Sequence, residues 1–206
     1  MKSHISALLC ASAMVLVAAP ASAHFILAAP DSWLVENALG DPQKAGPCGG
    51  ATADPGTPTG KITAMTGGDM LHIKVKETVY HPGFYRVALA VLDRKELPAD
   101  PVATTKESAR GPISVSGRIE SAPQMPVLVD GLWLHHAPPE KGSFYETDVK
   151  LPNINCDKCT VQIIQFMEQH GLNKDGDFTY HHCADLKLTA NPALPIDKGW
   201  PGQAAN

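Results

Sequence analysis

Eighteen prolines and seventeen glycines are scattered through this 206-residue chain, and few stretches between them are long and amphipathic. Proline removes a backbone donor and glycine raises the entropy lost on ordering, so both interrupt helices. The segments that survive are short, and several alternate apolar with polar residues. This pattern predicts an all-β chain of seven or eight short strands without an evident helix, arranged as a β-sandwich with long loops.

Residues 1–23 read differently from the rest. Lys2 precedes an apolar run from Ile5 to Ala19, and the small-residue pattern Ala21-Ser22-Ala23 follows. This is the layout of a secretory signal peptide cleaved after Ala23. Cys10 lies inside the apolar run behind Leu8-Leu9, without the small residue that a lipoprotein cleavage site wants, so it is expected to leave with the signal. No later stretch is apolar for long enough to span a bilayer. The expected mature chain has 183 residues, begins at His24, and is periplasmic or secreted. Its length suits one domain with one hydrophobic core: a domain over 24–190, then a proline-rich tail over 191–206 expected to be loosely held. Losing Lys2, the one charged side chain of the signal, takes the formal net charge from −4 to −5. A nucleic-acid partner needs a basic surface and is excluded, and the chain is expected to act as a monomer.

Phe25–Ala29 is apolar and stops at Pro30, as an edge or first strand would. Residues 38–60 form a long Gly/Pro loop with Cys48 as its expected pin. Within Met70–Val79, Leu71, Ile73 and Val75 alternate with His72, Lys74 and Lys76, which predicts a half-buried strand with His72 on its wet face. Tyr80-His81-Pro82-Gly83 reads as a turn. Tyr85, Val87, Leu89 and Val91 then share a face of the next strand, so a hairpin is expected with His81 at its exposed tip. Residues 93–142 look irregular, with strand candidates at 113–116 and 125–134. Ser143–Leu151, Thr160–Met167 and Phe178–Thr189 complete the set. Alternation on the last places Tyr180 and His182 on one face, and His181 and Cys183 on the other.

Four cysteines remain after the signal: Cys48, Cys156, Cys159 and Cys183. An even number in an oxidising compartment reads as two disulfides. A redox-active pair usually opens a helix, whose N-terminus lowers the thiol pKa, whereas Cys156-Asp157-Lys158-Cys159 precedes a strand. The expected pairing is Cys156 with Cys159 and Cys48 with Cys183, one of three connectivities. A four-cysteine zinc site is the alternative use.

Eight histidines also remain, and imidazole in excess of packing needs suggests copper, zinc, nickel or iron. His72, His170 and one of His135 and His136 are expected to be surface residues. His24 is different in kind, because as a first residue it offers a free α-amine and a ring nitrogen as a six-membered chelate. One further imidazole completes a T-shaped three-nitrogen site, a geometry that suits Cu(II). His81, on a turn restrained by Pro82, is the expected second ligand, with His136 and His182 as alternatives. Tyr180 is a candidate for an axial position. No nucleophilic triad and no phosphate loop has local support.

Several of these pieces occur together in one known group. A His-Phe start after an Ala-x-Ala signal, the step Pro47-Cys48-Gly49-Gly50, the turn His81-Pro82-Gly83-Phe84-Tyr85-Arg86 and a closing Tyr-x-x-Cys-Ala-Asp strand resemble the lytic polysaccharide monooxygenases. The likeness is greatest to bacterial polysaccharide monooxygenase-like proteins. It implies an immunoglobulin/fibronectin-like sandwich with a mononuclear copper histidine brace. In it His24 supplies amine and ring nitrogens, His81 the second imidazole, and Tyr180 the axial position. The pair His181-His182 departs from the well-studied enzymes and admits His182 as a third ligand.

Two functions follow from that resemblance. The first is copper-dependent oxidative cleavage of glycosidic bonds, which usually needs aromatic platforms; Trp33 and Trp133 are the candidates. The second is copper acquisition, storage or delivery, with a copper-trafficking partner instead of a polysaccharide. A sandwich in which His24 is incidental is the plainest alternative.

Overall fold

The structure, a computed structural model, describes residues 24–203. The signal segment, including Cys10, lies outside the described residues. Ten strands follow one another: β1 (His24–Ala29), β2 (Ile62–Thr66), β3 (Met70–Val79), β4 (Gly83–Ala90), β5 (Ala103–Ser108), β6 (Gly111–Gly117), β7 (Val127–His135), β8 (Tyr145–Lys150), β9 (Cys156–Met167) and β10 (Thr179–Thr189). A 3-10 turn at Arg94–Glu96 is the sole helical element among the described residues. The all-β expectation holds, with more strands than the sequence pattern suggests.

A three-stranded sheet has the order β1-β3-β8, and a five-stranded sheet the order β2-β10-β9-β4-β7. They pack face to face across one core. Phe25, Leu27, Leu71, Ile73, Val75 and Val149 come from the smaller sheet, and Tyr85, Val87, Leu89, Val161, Ile163, Tyr180, Ala184 and Leu186 from the larger. Each Val, Leu, Ile or Phe among them contributes about 1.5–3 kcal/mol when taken fully out of water. β1 is an edge strand, as Pro30 suggests. In β3, Leu71, Ile73 and Val75 are buried while His72 faces water beside Glu146 and Asp148.

The expected β3–β4 hairpin does not form. β3 pairs with β1 and β8, whereas β4 pairs with β7 and β9. The reason lies in β4, which is buried along its whole length. Tyr85, Val87 and Leu89 enter the sandwich core, while Phe84, Ala88 and Ala90 pack under loops on the outer face. A strand covered on both faces belongs inside a sheet rather than at the end of a hairpin. Residues 80–82 are therefore a crossover between sheets. Gly83 is required there: it has φ +153°, and a Cβ would lie 1.9 Å from the Phe166 carbonyl oxygen.

The outer face of the larger sheet is covered by the 30–60 loop. Cys48 is bridged to Cys183, and Cys156 to Cys159, the expected pairing. Both cysteines of the second pair lie on β9 itself, which begins at Cys156. Residues 103–117, read as largely irregular, form the β5–β6 hairpin. Ser114 anchors it by donating its hydroxyl to the Met167 carbonyl and accepting the His170 N–H.

The proline-rich tail is docked. Asn153 donates its side-chain amide to the carbonyls of Asn191, Leu194 and Pro195, and its own N–H goes to Asp197. Trp200 packs against the main core. Composition alone pointed to a loose tail because it does not show that one buried asparagine satisfies so many backbone groups.

Candidate metal centre

His24 opens β1, and the outer edge of that strand has no partner strand among the described residues. Buried side chains take its place. Gln43 accepts the Phe25 N–H at 3.0 Å, His182 Nε2 lies 2.9 Å from the Phe25 carbonyl oxygen, and Glu36 accepts the Leu27 N–H at 3.1 Å. A buried backbone group needs such a partner. The start of β1 is therefore held in place by the long loop and by β10.

At that fixed point the His24 ring is 5 % exposed. Its Nε2 lies 3.1 Å from Asp41 Oδ2, while Nδ1 is buried and has no hydrogen-bond partner among the described residues. In the full chain the backbone nitrogen of His24 is a peptide nitrogen, and cleavage after Ala23 would convert it to a primary amine. Nδ1 is the ring nitrogen that closes a six-membered chelate with that amine.

The His24 ring meets Tyr180 edge to face at 5.4 Å between centroids. Tyr180 is 6.1 Å from His170, and His170 is 4.9 Å from His81. Four rings, from positions 24, 180, 170 and 81, thus follow one another from neighbour to neighbour. His81 is 4 % exposed rather than at an exposed tip, because the crossover tucks it between sheets. Its Nδ1 faces the Glu168 carbonyl oxygen at 2.9 Å, which makes Nδ1 the protonated nitrogen and leaves Nε2 as the possible ligand atom. Burial lowers the His81 pKa, only partly offset by that carbonyl and by Glu77. The imidazole is kept neutral, the form that binds metals.

Glu77 supports this turn from below. Its side chain is fully buried and accepts the His81 N–H and the Gln165 side-chain amide. Tyr180 is pushed up to about 12 by burial and then by the charge of Asp41, so its phenol stays protonated and neutral.

The alternatives lie elsewhere. His182 is 1 % exposed, with Nε2 holding β1 at the Phe25 carbonyl and Nδ1 3.3 Å from Glu36 Oε1, an oxygen without a hydrogen-bond partner among the described residues. Burial lowers its pKa to about 4. His136 is exposed and pairs with Glu168. His135 meets Glu77 and Tyr145, and His181 is buried on the opposite face of β10 against Asp100. His170, expected at the surface, is instead 5 % exposed between His81 and Tyr180. Its placement depends on where β9 ends and on Ser114, and nothing in its local sequence signals either. Asp41 and Gln43 were likewise indistinct within a Gly/Pro-rich loop.

Among the described residues, no three His, Cys, Asp or Glu side chains converge as a ready-made metal site. A brace asks for two histidine side chains and an amine, and His24 and His81 offer donor atoms of that kind. Neither candidate platform is free near this cluster. Trp33 donates its indole N–H to the Cys48 carbonyl and lies beneath the Arg94 guanidinium at 3.8 Å, and Trp133 packs against Tyr85 and Tyr145. No helix among the described residues is long and apolar enough to cross a membrane. No protein-family model and no curated protein matches this chain.

Proposed function

We propose that the exported chain is a mononuclear copper-binding protein in which His24 contributes amine and Nδ1, His81 contributes Nε2, and Tyr180 stands at the axial side. The observation that carries this reading is the state of His24: one ring nitrogen fixed by a carboxylate, the other buried and without a partner among the described residues. An orphaned polar atom in a well-packed site asks for a partner. Imidazole and amine nitrogens in a T-shaped arrangement suit Cu(II). Export to the periplasm or beyond agrees with the two disulfides.

Copper held there supplies one-electron and O₂ chemistry. The chain supplies fixed nitrogens, a neutral phenol and a buried setting. Within this proposal, acquisition, storage or delivery of the ion is the reading we favour over glycosidic-bond oxidation. The reason is that one face of the half-buried Trp33 ring is covered by the Arg94 guanidinium, and the half-buried Trp133 ring packs against Tyr85 and Tyr145. Mass spectrometry of a polysaccharide panel incubated with the copper-loaded protein and reductant tests the choice. Oxidised oligosaccharides at a yield tracking the protein would establish the enzymatic reading instead.

A further inference from the structure

Asp41 is built into its place beside His24. The Asn37 side-chain oxygen accepts the N–H groups of Leu39, Gly40 and Asp41, and the Asn37 N–H returns to the Asp41 carbonyl at 2.9 Å. Gly40, at φ +101°, lets this closed turn press onto β1; a Cβ there would lie 1.9 Å from the Phe25 carbonyl oxygen. Two residues on, Gln43 is fully buried and holds the Phe25 N–H. The turn is thus clamped to β1 on both sides of Asp41, and its carboxylate reaches His24 Nε2 at 3.1 Å.

We propose that Asp41 is a positioning residue that selects the His24 tautomer and, through it, the copper valence the protein prefers. A carboxylate accepts and does not donate, so its hydrogen bond places the proton of neutral His24 on Nε2. The lone pair then resides on Nδ1, the buried atom without a partner among the described residues and the one positioned to chelate with the amine. The full negative charge behind the ring makes the imidazole a stronger donor. A doubly charged ion gains more from that charge than a singly charged one. Asp41 therefore favours Cu(II) over Cu(I). This inference rests on the brace reading for its copper consequences, while the tautomer itself is a property of the metal-free protein.

The test uses the exported protein beginning at His24, with D41N, D41A and D41E. Nitrogen-15 NMR of the metal-free protein is expected to show the Nε2–H tautomer of His24 in wild type and D41E, and a mixture in D41A. Cu(II) affinity is expected to fall about 10–100-fold in D41N and D41A, the usual effect of an outer-shell partner. Cu(I) affinity should fall less, and each tenfold difference raises the Cu(II)/Cu(I) midpoint potential by about 59 mV. The proposal is overturned by an unchanged tautomer in D41A. It is equally overturned by equal losses for both ions together with a lower unfolding midpoint, which would mean that the turn only holds β1. If the tautomer shifts while wild-type copper affinity is indifferent to H81A, the brace reading fails and the positioning role of Asp41 on the ring stands.

Discussion

Replacing Cys48 and Cys183 together by alanine tests how the long loop is bound to the sheet. The bridge spans 135 residues, most of the mature chain. Loop closure of that length in the unfolded state corresponds to about 5 kcal/mol by the chain-entropy relation, against about 2 kcal/mol for the three-residue span of Cys156–Cys159. Losses on removing native bridges run to about 2–5 kcal/mol, so C48A/C183A is expected at 3–5 kcal/mol and C156A/C159A at about 2 kcal/mol or less. The first pair carries a second consequence. Cys48 follows the stretch that carries Asp41 and Gln43, and Cys183 lies three residues beyond Tyr180. Urea unfolding of the mature protein measures the loss, and copper titration of the folded variant measures the site. Equal destabilisation by the two double variants would show that long-range closure is not what the Cys48 bridge contributes.

Other outcomes follow from particular contacts. Replacement of Asn153 by alanine removes hydrogen bonds to three carbonyls and one accepted from the Asn191 N–H; at about 0.5–1.5 kcal/mol each, a loss of about 2–6 kcal/mol and early proteolysis after residue 190 are expected, and a protease-resistant tail would contradict the docking. Glu36 is raised to about 7 by burial and His182 lowered to about 4. The raised acid stabilises the fold fully below its unfolded value of 4.5 and loses that contribution as pH rises through 7. The depressed base does the reverse, losing its contribution as pH falls from 6.5 through 4. The two slopes oppose each other between 4.5 and 6.5, so stability should be flat there, fall above about 6.5 and fall below about 4.5; in E36Q the alkaline fall should disappear. H81A should lower Cu(II) affinity by more than about 100-fold, exceeding the effect of an outer-shell change.

Much of the sandwich is legible along the chain because local rules decide it. Alternation placed Leu71, Ile73 and Val75 inward and His72 outward, and the same period separated Tyr180 and His182 from His181 and Cys183. Pairing is harder to read. β3 and β4 adjoin in sequence yet belong to different sheets, since the burial of β4 on both faces is decided by β7, β9 and the loops above it. His24 could be singled out from the cleavage pattern, and His81 from its turn. His170 could not, because its approach to His81 and Tyr180 is made by the end of β9 and by Ser114, more than fifty residues away. Asp41 was obscured for a similar reason: the Asn37-centred turn that aims it exists only once Gly40 has docked on Phe25.

In the proposed site the α-amine of His24 and its Nδ1 bind copper as one chelate. The most direct measurement is Cu(II) titration, followed by electron paramagnetic resonance, of the chain beginning at His24 beside the same chain carrying Ala23 ahead of it. One tightly bound ion with nitrogen couplings is expected in the first protein, and loss of that signal and most of the affinity in the second. Equal affinity and the same spectrum in both would contradict the chelate.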